Sequence, residues 1–346
     1  MHALKQSVIY ILPLTLMFAC AGAPSVKKAP QWVTEPAAAY ADSHYLTAVG
    51  YASSRSAAEA EAVSALTKSV SQKVRAHSVS VQSMESTAAG VERSFSSSVD
   101  TVSSVDEIAG LKIREVWTAG DGTVYALALV NREEVGSYYE QKMKDAENGI
   151  NALIAFAADN PASFEAVNAL RSAAEKAGEN DKSAAMLSVV NPVKYKRLSF
   201  AYKNTQTVQA LLMHEIENIH VAVRVKNDKD GRLESAFSEA VKKAGFKTVP
   251  GNSAHDADAP YILNVALNLE PLETPARTEN KYVRYTVKAE LSDSRTGKII
   301  LPWSTGGREA HFTQGEAEQR ALRTIEADVK KRFAEEFSAC CRTGTF

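Results

Sequence analysis

The side chains able to do chemistry are few and scattered along the chain. Asp228-Lys229-Asp230-Gly231 opens like a calcium loop, with acids one and three positions before the glycine of a sharp turn. With Gly231 as the sixth position, however, the first ligand position is Lys226 and the twelfth is Phe237, so the positions that supply most of the charge hold a cation and a ring. These Asp residues are expected to favour the N-terminus of a following helix. His214-Glu215 lies six residues before His220, whereas a helical zinc site needs two imidazoles one turn apart, as in HExxH. His255, Asp256 and Asp258 in GNSAHDADAP read as a solvated loop, and His311 as a structural histidine. No GxSxG elbow, P-loop, GxGxxG fingerprint or SxxK occurs. No catalytic, cofactor-binding or metal-ligating residue is therefore assigned, and a non-enzymatic protein is expected.

Cysteine carries the remaining chemistry. In MHALKQSVIYILPLTLMFAC, Lys5 precedes an apolar run from Val8 to Ala19, the shape of a secretory signal and too short to span a bilayer. Leu16-Met17-Phe18-Ala19-Cys20 resembles a bacterial lipobox, in which a small residue precedes a cysteine that is acylated before the chain is cut in front of it. That resemblance implies Cys20 as a lipidation site and residue one of the mature protein, carrying acyl chains such as palmitate, each buried CH₂ contributing ~0.8 kcal/mol to anchoring. An uncleaved anchor, or an ordinary signal peptide in which Cys20 is incidental, is the alternative, and either still exports the chain. Ala21 follows where the enteric inner-membrane retention signal has Asp, which favours the outer membrane. Cys340 and Cys341, in SACCRTGTF, are expected beyond the terminal helix in an unpacked tail; a vicinal disulfide or an intermolecular link are the functional readings.

The chain has 346 residues with 40 Lys+Arg against 41 Asp+Glu. That balance excludes a protein built to coat nucleic acid, which needs excess positive charge to displace counterions. Three cysteines, two of them adjacent, exclude a disulfide scaffold and spaced zinc pairs. Removal of residues 1–19 takes Lys5 with it and leaves 39 bases against 41 acids. No polybasic surface remains for lipid headgroups, so contact with the bilayer is expected through acylated Cys20.

The elements that must hold these residues form an α+β protein: two sheet-plus-helix modules joined by an all-helical spacer, after a lipoprotein signal peptide. The expected parts are a signal peptide at 1–19, a lipidated tether at 20–31, an α+β domain at 32–145, a helical spacer at 146–205, a second α+β domain at 206–338 and a flexible tail at 339–346. In the first domain, HYLTAVGYA is a strand, Val63, Leu66, Val70 and Val74 mark a helix, and Val79 and Val81 alternate as a short strand. The Ser-rich stretch 94–104 reads as a helix or a linker. Leu111–Thr118 and Thr123–Val130 flank Ala119-Gly120-Asp121-Gly122 as a hairpin. The order is β-α-β-α-β-β-α.

The spacer is helical, divided by Asp159-Asn160-Pro161 and by the polar segment Gly178–Asp181. In the last domain Ile219–Val225, Tyr261–Leu269 and Val283–Leu291 alternate apolar with polar residues. A helix through Leu233 and Phe237 stops at Gly245. Ile299–Trp303 and a separate strand around Ala310 and Phe312 precede a terminal helix, in the order β-α-β-β-β-β-α.

Pro30-Gln31-Trp32, LTAVGYASSRSAAEAEAVSAL from Leu46, and the Leu111–Val130 hairpin together resemble the LPP-twenty family of bacterial lipoproteins. Gly50, Ala52 and Ser54 fit its G-x-A-x-S strand end, and the match covers roughly residues 30–145. RLESAFSEAVKKAGF, YILNVALNLEP, and TGKIILPW with REAHFTQGEAEQRAL resemble small α+β modules of periplasmic assembly proteins, over about 215–337. A related domain occurs in a periplasmic flagellar ring protein. Neither resemblance brings a catalytic residue. Together they imply a cell-envelope lipoprotein, facing the periplasm, that acts as a scaffold toward envelope proteins in envelope or surface-structure assembly, flagellar assembly included. The alternative is a ligand-binding or sensing lipoprotein, which would need a deep pocket.

Overall fold

The computed structural model describes residues 28–89, 108–251, 258–273 and 279–343, with the backbone alone for 77–89. The described residues up to Ser69, together with Ile108–Asn131, form one compact unit, and those from Val70 to Ala89 and from Arg132 onward form a second.

In the first unit, β1 (Tyr45–Ala52), β2 (Lys112–Thr118) and β3 (Val124–Asn131) form an antiparallel sheet in the order β1-β3-β2. The central strand reads VYALALVN, and from Ala126 to Val130 every residue is buried, as a strand covered on both faces requires. The hairpin closes as expected: the Ala119 and Thr123 backbones bond at 2.8 Å, and Gly122 takes φ +88°. Thr123 N donates to Asp121 Oδ1 at 2.9 Å, which holds that carboxyl below its usual range.

Helix α1 (Arg55–Ala89) follows Ser54, whose hydroxyl accepts from Ala57 N at 3.4 Å. It buries Ala58, Ala62, Leu66, Val70 and Val74, a strict spacing of four. The small residues sit where β1 comes closest. A Cβ on Gly50 would stand 2.6 Å from Ala58 O and 2.7 Å from Ala62 Cα, so only glycine allows the strand to lie this near the helix. The expected strand at Val79 and Val81 is absent, because the backbone there continues α1. Three residues of alternation do not break a helix that is already nucleated, since each added residue gains one further hydrogen bond for the one residue it fixes. The helix-or-linker segment 94–104 lies outside the described residues.

The second unit opens with α2 (Arg132–Asp159), α3 (Phe164–Val190) and α4 (Thr205–Asn218). The break at Asp159-Asn160-Pro161 forms, and Ser163 then caps α3 by accepting from Ala166 N at 3.0 Å. The C-terminal carbonyls of α3 are met by Arg132, which donates to Val189 O and Val190 O at 2.9 and 2.8 Å. The second expected break does not occur. Helix α3 runs through Gly178–Asp181, because buried Asn180 donates to Met143 O at 3.3 Å and the Tyr202 hydroxyl at 3.2 Å, while Asp181 accepts from Thr205 Oγ1 at 2.7 Å. Polar residues that resemble a loop are here the contacts between helices.

The rest of this unit is a five-stranded sheet of β4 (His220–Lys226), β5 (Lys247–Pro250), β6 (Tyr261–Leu272), β7 (Lys281–Asp293) and β8 (Ile299–His311), in the order β5-β4-β6-β7-β8. Strand β4 is parallel to β5 and β6, and the remaining pairs are antiparallel. Helix α5 (Arg232–Lys243), helix α6 (Gln314–Asp328), a π turn at Val329–Phe333 and helix α7 (Ala334–Thr343) complete the fold. Leu263, Val265, Tyr285, Val287 and Trp303 pack with Phe237, Ile325, Phe333 and Phe337, while Asn264, Arg284, Lys288 and Ser304 stay exposed. Phe164 belongs to the same core, stacked on Tyr261 at 4.1 Å between ring centroids, with its N–H donating to the Tyr261 hydroxyl at 2.9 Å. Each fully buried ring of this kind contributes roughly 2–3 kcal/mol.

The strand order reads as expected, but its members differ. The short β5 takes the place of one anticipated strand, and the two strands anticipated after Ser294 are one, β8. Gly306-Gly307 resembles a break in sequence. In the sheet, a Cβ on Gly307 would lie 2.8 Å from Tyr285 Cζ, so glycine leaves room for that ring and the strand continues.

Candidate functional site

The calcium-like turn is a helix cap. Asp228 Oδ2 accepts from Glu234 N at 2.9 Å, Gly231 takes φ +67°, and Phe237, at the twelfth loop position, is buried in the core. Beside this turn an open groove is lined by residues of the turn, α5 and β5, among them Asp230, Glu234, Ser238 and Lys242. It is open to solvent, and Glu239 in its wall pairs with Lys330 at 2.9 Å.

Among the described residues, the histidines do not converge on a common site. His214 Nδ1 meets Asn218 Nδ2 at 3.2 Å, and His220 Nδ1 lies 3.1 Å from Asn218 O. Glu215 points elsewhere: its buried carboxylate accepts from Ser163 N at 3.3 Å and ties α4 to the start of α3. His255 and Asp256 fall outside the described residues, as does Cys20, while Asp258 is exposed. His311 sits half-buried beside Phe312, with ring centroids 5.7 Å apart. Among the described residues, no group of three His, Cys, Asp or Glu side chains could hold a metal ion.

Cys340 and Cys341 correct a further expectation. They lie within α7, whose end at Thr343 is later than the sequence implies, and both are free thiols. Cys341 is part of the core and burial pushes its thiol well up; burial also raises Cys340. Neither is poised as a thiolate. Neighbouring Cα atoms are held about 3.8 Å apart by the trans peptide, shorter than a relaxed disulfide spans, so a vicinal bond would have to distort the helix.

One ion pair, between buried Asp293 and exposed Arg295, is structural. Asp293 at the end of β7 accepts from Arg295 Nη2 at 2.8 Å, from Arg295 N at 2.8 Å and from Thr296 N at 3.2 Å. Arg295 Nη1 also donates to Pro161 O at 2.9 Å. Burial pushes the Asp293 carboxyl up, but the Arg295 and Thr296 hydrogen bonds outweigh it and hold the group below its usual range. The arrangement joins the strand turn to the bend before α3.

The first unit carries a surface that sequence reasoning missed. Tyr51, Tyr125 and Trp117 stand in register across β1, β3 and β2. Their rings form a row with centroid steps of 6.0 and 5.6 Å and interplanar tilts of 34° and 39°. Tyr51 is 67% exposed. Period-two geometry places Glu115, Leu127 and Val49 on the same face as the rings. The N-terminal segment also reaches this face: Tyr40 donates to Glu115 Oε1 at 2.7 Å, the Gln31–Thr34 turn contacts β3, and Trp32 is buried. Burial, followed by the Glu115 carboxylate, raises the Tyr40 hydroxyl. The signal was available in the sequence, since Trp117 and Tyr125 are placed symmetrically about the hairpin turn.

Residues 30–131 match the family model of the LPP20 lipoprotein, a span that begins at the Pro30-Gln31-Trp32 start and ends at the last residue of β3. No curated protein matches the chain. Among solved structures, the chain is similar to a minor lipoprotein from Acinetobacter baumannii, at 18% identity, 35% of this chain, 92% of that chain and a TM-score of 0.27. It is also similar to a secreted protein from Helicobacter pylori, at 12% identity, 83% of this chain, 97% of that chain and a TM-score of 0.38. A third is rare lipoprotein B from Shewanella oneidensis, at 13% identity, 36% of this chain, 96% of that chain and a TM-score of 0.24. Likeness at these scores carries no argument about what this chain does.

Proposed function

We propose, from an N-terminal module that matches the LPP20 lipoprotein family, that the chain is a lipid-anchored protein of the cell envelope, acylated at Cys20 after removal of residues 1–19. It faces the periplasm, from the outer membrane, and acts without catalysis as a scaffold toward proteins of envelope or surface-structure assembly, flagellar assembly included. The observation that carries this reading is position: the family match begins at Pro30, just after the ten residues from Cys20 to Ala29. A lipobox-like cysteine thus stands one short tether before the first folded element. With 40 bases against 41 acids, the chain has no charge excess to hold a bilayer, which leaves acylation as the means of attachment.

Partner binding by strand addition suits the sheets, because β1 and β2 are edges of the small sheet and β5 and β8 are edges of the large one. A ligand-binding or sensing role needs an enclosed apolar pocket, and the groove beside α5 is open to solvent.

The reading is tested by membrane fractionation of cells making the natural chain or Cys20→Ala. The natural chain is expected with the outer-membrane fraction and Cys20→Ala in the soluble periplasm, with envelope proteins co-purifying from detergent only with the former. Equal membrane retention of both chains would overturn it.

A further inference from the structure

We propose that the ring row of Tyr51, Tyr125 and Trp117 is a membrane-contact surface, seated in the headgroup layer of the bilayer that holds the chain. The inference rests on the lipid-anchored reading above and adds which face of the first unit meets the lipid. Tyrosine and tryptophan have apolar bodies and polar tips, and they concentrate where hydrocarbon gives way to water. Here two tyrosines and a tryptophan lie side by side across three strands, with ring planes tilted by only 34° and 39°, so they present one broad surface. A fold needs no 67% exposed tyrosine near the end of an edge strand, and Tyr51 contributes little to a core.

The chain leading to Cys20 bears on which surface the rings meet. The Trp32–Tyr40 segment reaches the same sheet face as the rings, and the ten residues from Cys20 to Ala29 extend to about 35 Å at most. Acylation at Cys20 therefore confines this face to the neighbourhood of the bilayer. Under such confinement the contact is effectively intramolecular, and weak ring insertion is enough to orient the unit. The charges that meet Tyr40 on this face are one of each sign and not a basic cluster: the Glu115 carboxylate accepts from the Tyr40 hydroxyl at 2.7 Å, and Arg114 acts on the same hydroxyl. Contact is thus carried by the rings and should be insensitive to salt.

The test uses the full mature chain from Ala21, held by an N-terminal hexahistidine tag on nickel-chelating vesicles of phosphatidylcholine brominated in the acyl chains. Trp32 and Trp303 are each 5% exposed, which makes Trp117 the reporter. Bromolipid quenching of tryptophan emission is expected to be about twofold larger in the natural sequence than in Trp117→Phe, and to fall also in Tyr51→Ser, without change between low and high salt. Quenching that is absent, or equal in the natural chain and Trp117→Phe, would overturn the proposal. Quenching that disappears at high salt would do so too. Because the tag supplies the tether, these outcomes judge the rings alone, and acylation of Cys20 is judged separately by the mass of the mature N-terminus.

Discussion

At the scale of single residues, position decides what a residue does more than its own chemistry. Gly50 is the clearest case, since its missing side chain is the space that Ala58 and Ala62 occupy. Gly50→Ala is expected to destabilise the first unit by about 3 kcal/mol, through overpacking against backbone that cannot move aside, and urea denaturation checks it. Asp293 gives a second test. Its carboxyl titrates below the ordinary 3.8 in the folded chain, so its stabilisation is complete above that value and is lost as pH falls through the lower folded value. Asp293→Asn should cost about 2 kcal/mol at neutral pH, with the gap to the natural chain closing as pH falls below the carboxylate range. A gap that stays constant into acid would contradict the assignment. The capping role of Asp228 was legible in the sequence from the failed calcium register. The role of Asn180 was not, because a buried amide contact and a loop signal use the same residue types.

At the scale of elements, legibility followed solvent. Strands β6 and β7 each have one wet face, so their alternation is plain in YILNVALNLEPL and KYVRYTVKAELSD. Strand β5 is only KTVP, four residues that are too few to show a period. Strand β8 shows no continuous period in sequence, because it carries Gly306-Gly307, where the ring of Tyr285 on the neighbouring strand takes the space of a Gly307 side chain. Helix α3 was likewise cut at Gly178–Asp181, where the hydrogen bonds of Asn180 in fact bind it to α2 and to Tyr202. Asn180→Ala is therefore expected to cost about 1–2 kcal/mol and to lower hydrogen-exchange protection in α2 and α3 first. Unchanged protection in those helices would show that the amide is not what holds them together.

At the scale of the whole molecule, the α+β class and the lipoprotein resemblance were both legible in the order of the amino acids. The class followed from hydrophobic periods, and the resemblance from several ordered features over residues that the family model also matches. The surface of the first unit is legible only in part, because the hairpin sets Trp117 beside Tyr125, whereas Tyr51 joins them only through the register of β1 on β3. The function proposed above depends on one covalent event, acylation of Cys20, which would convert an exported chain into one held within a short tether of a bilayer. The most direct measurement is the mass of the N-terminal peptide of the protein purified from its own membranes. The account predicts a mature chain that begins at Cys20 and carries diacylglyceryl and amide-linked acyl groups. A chain that retains Met1–Ala19, or begins at an unmodified residue, would contradict it.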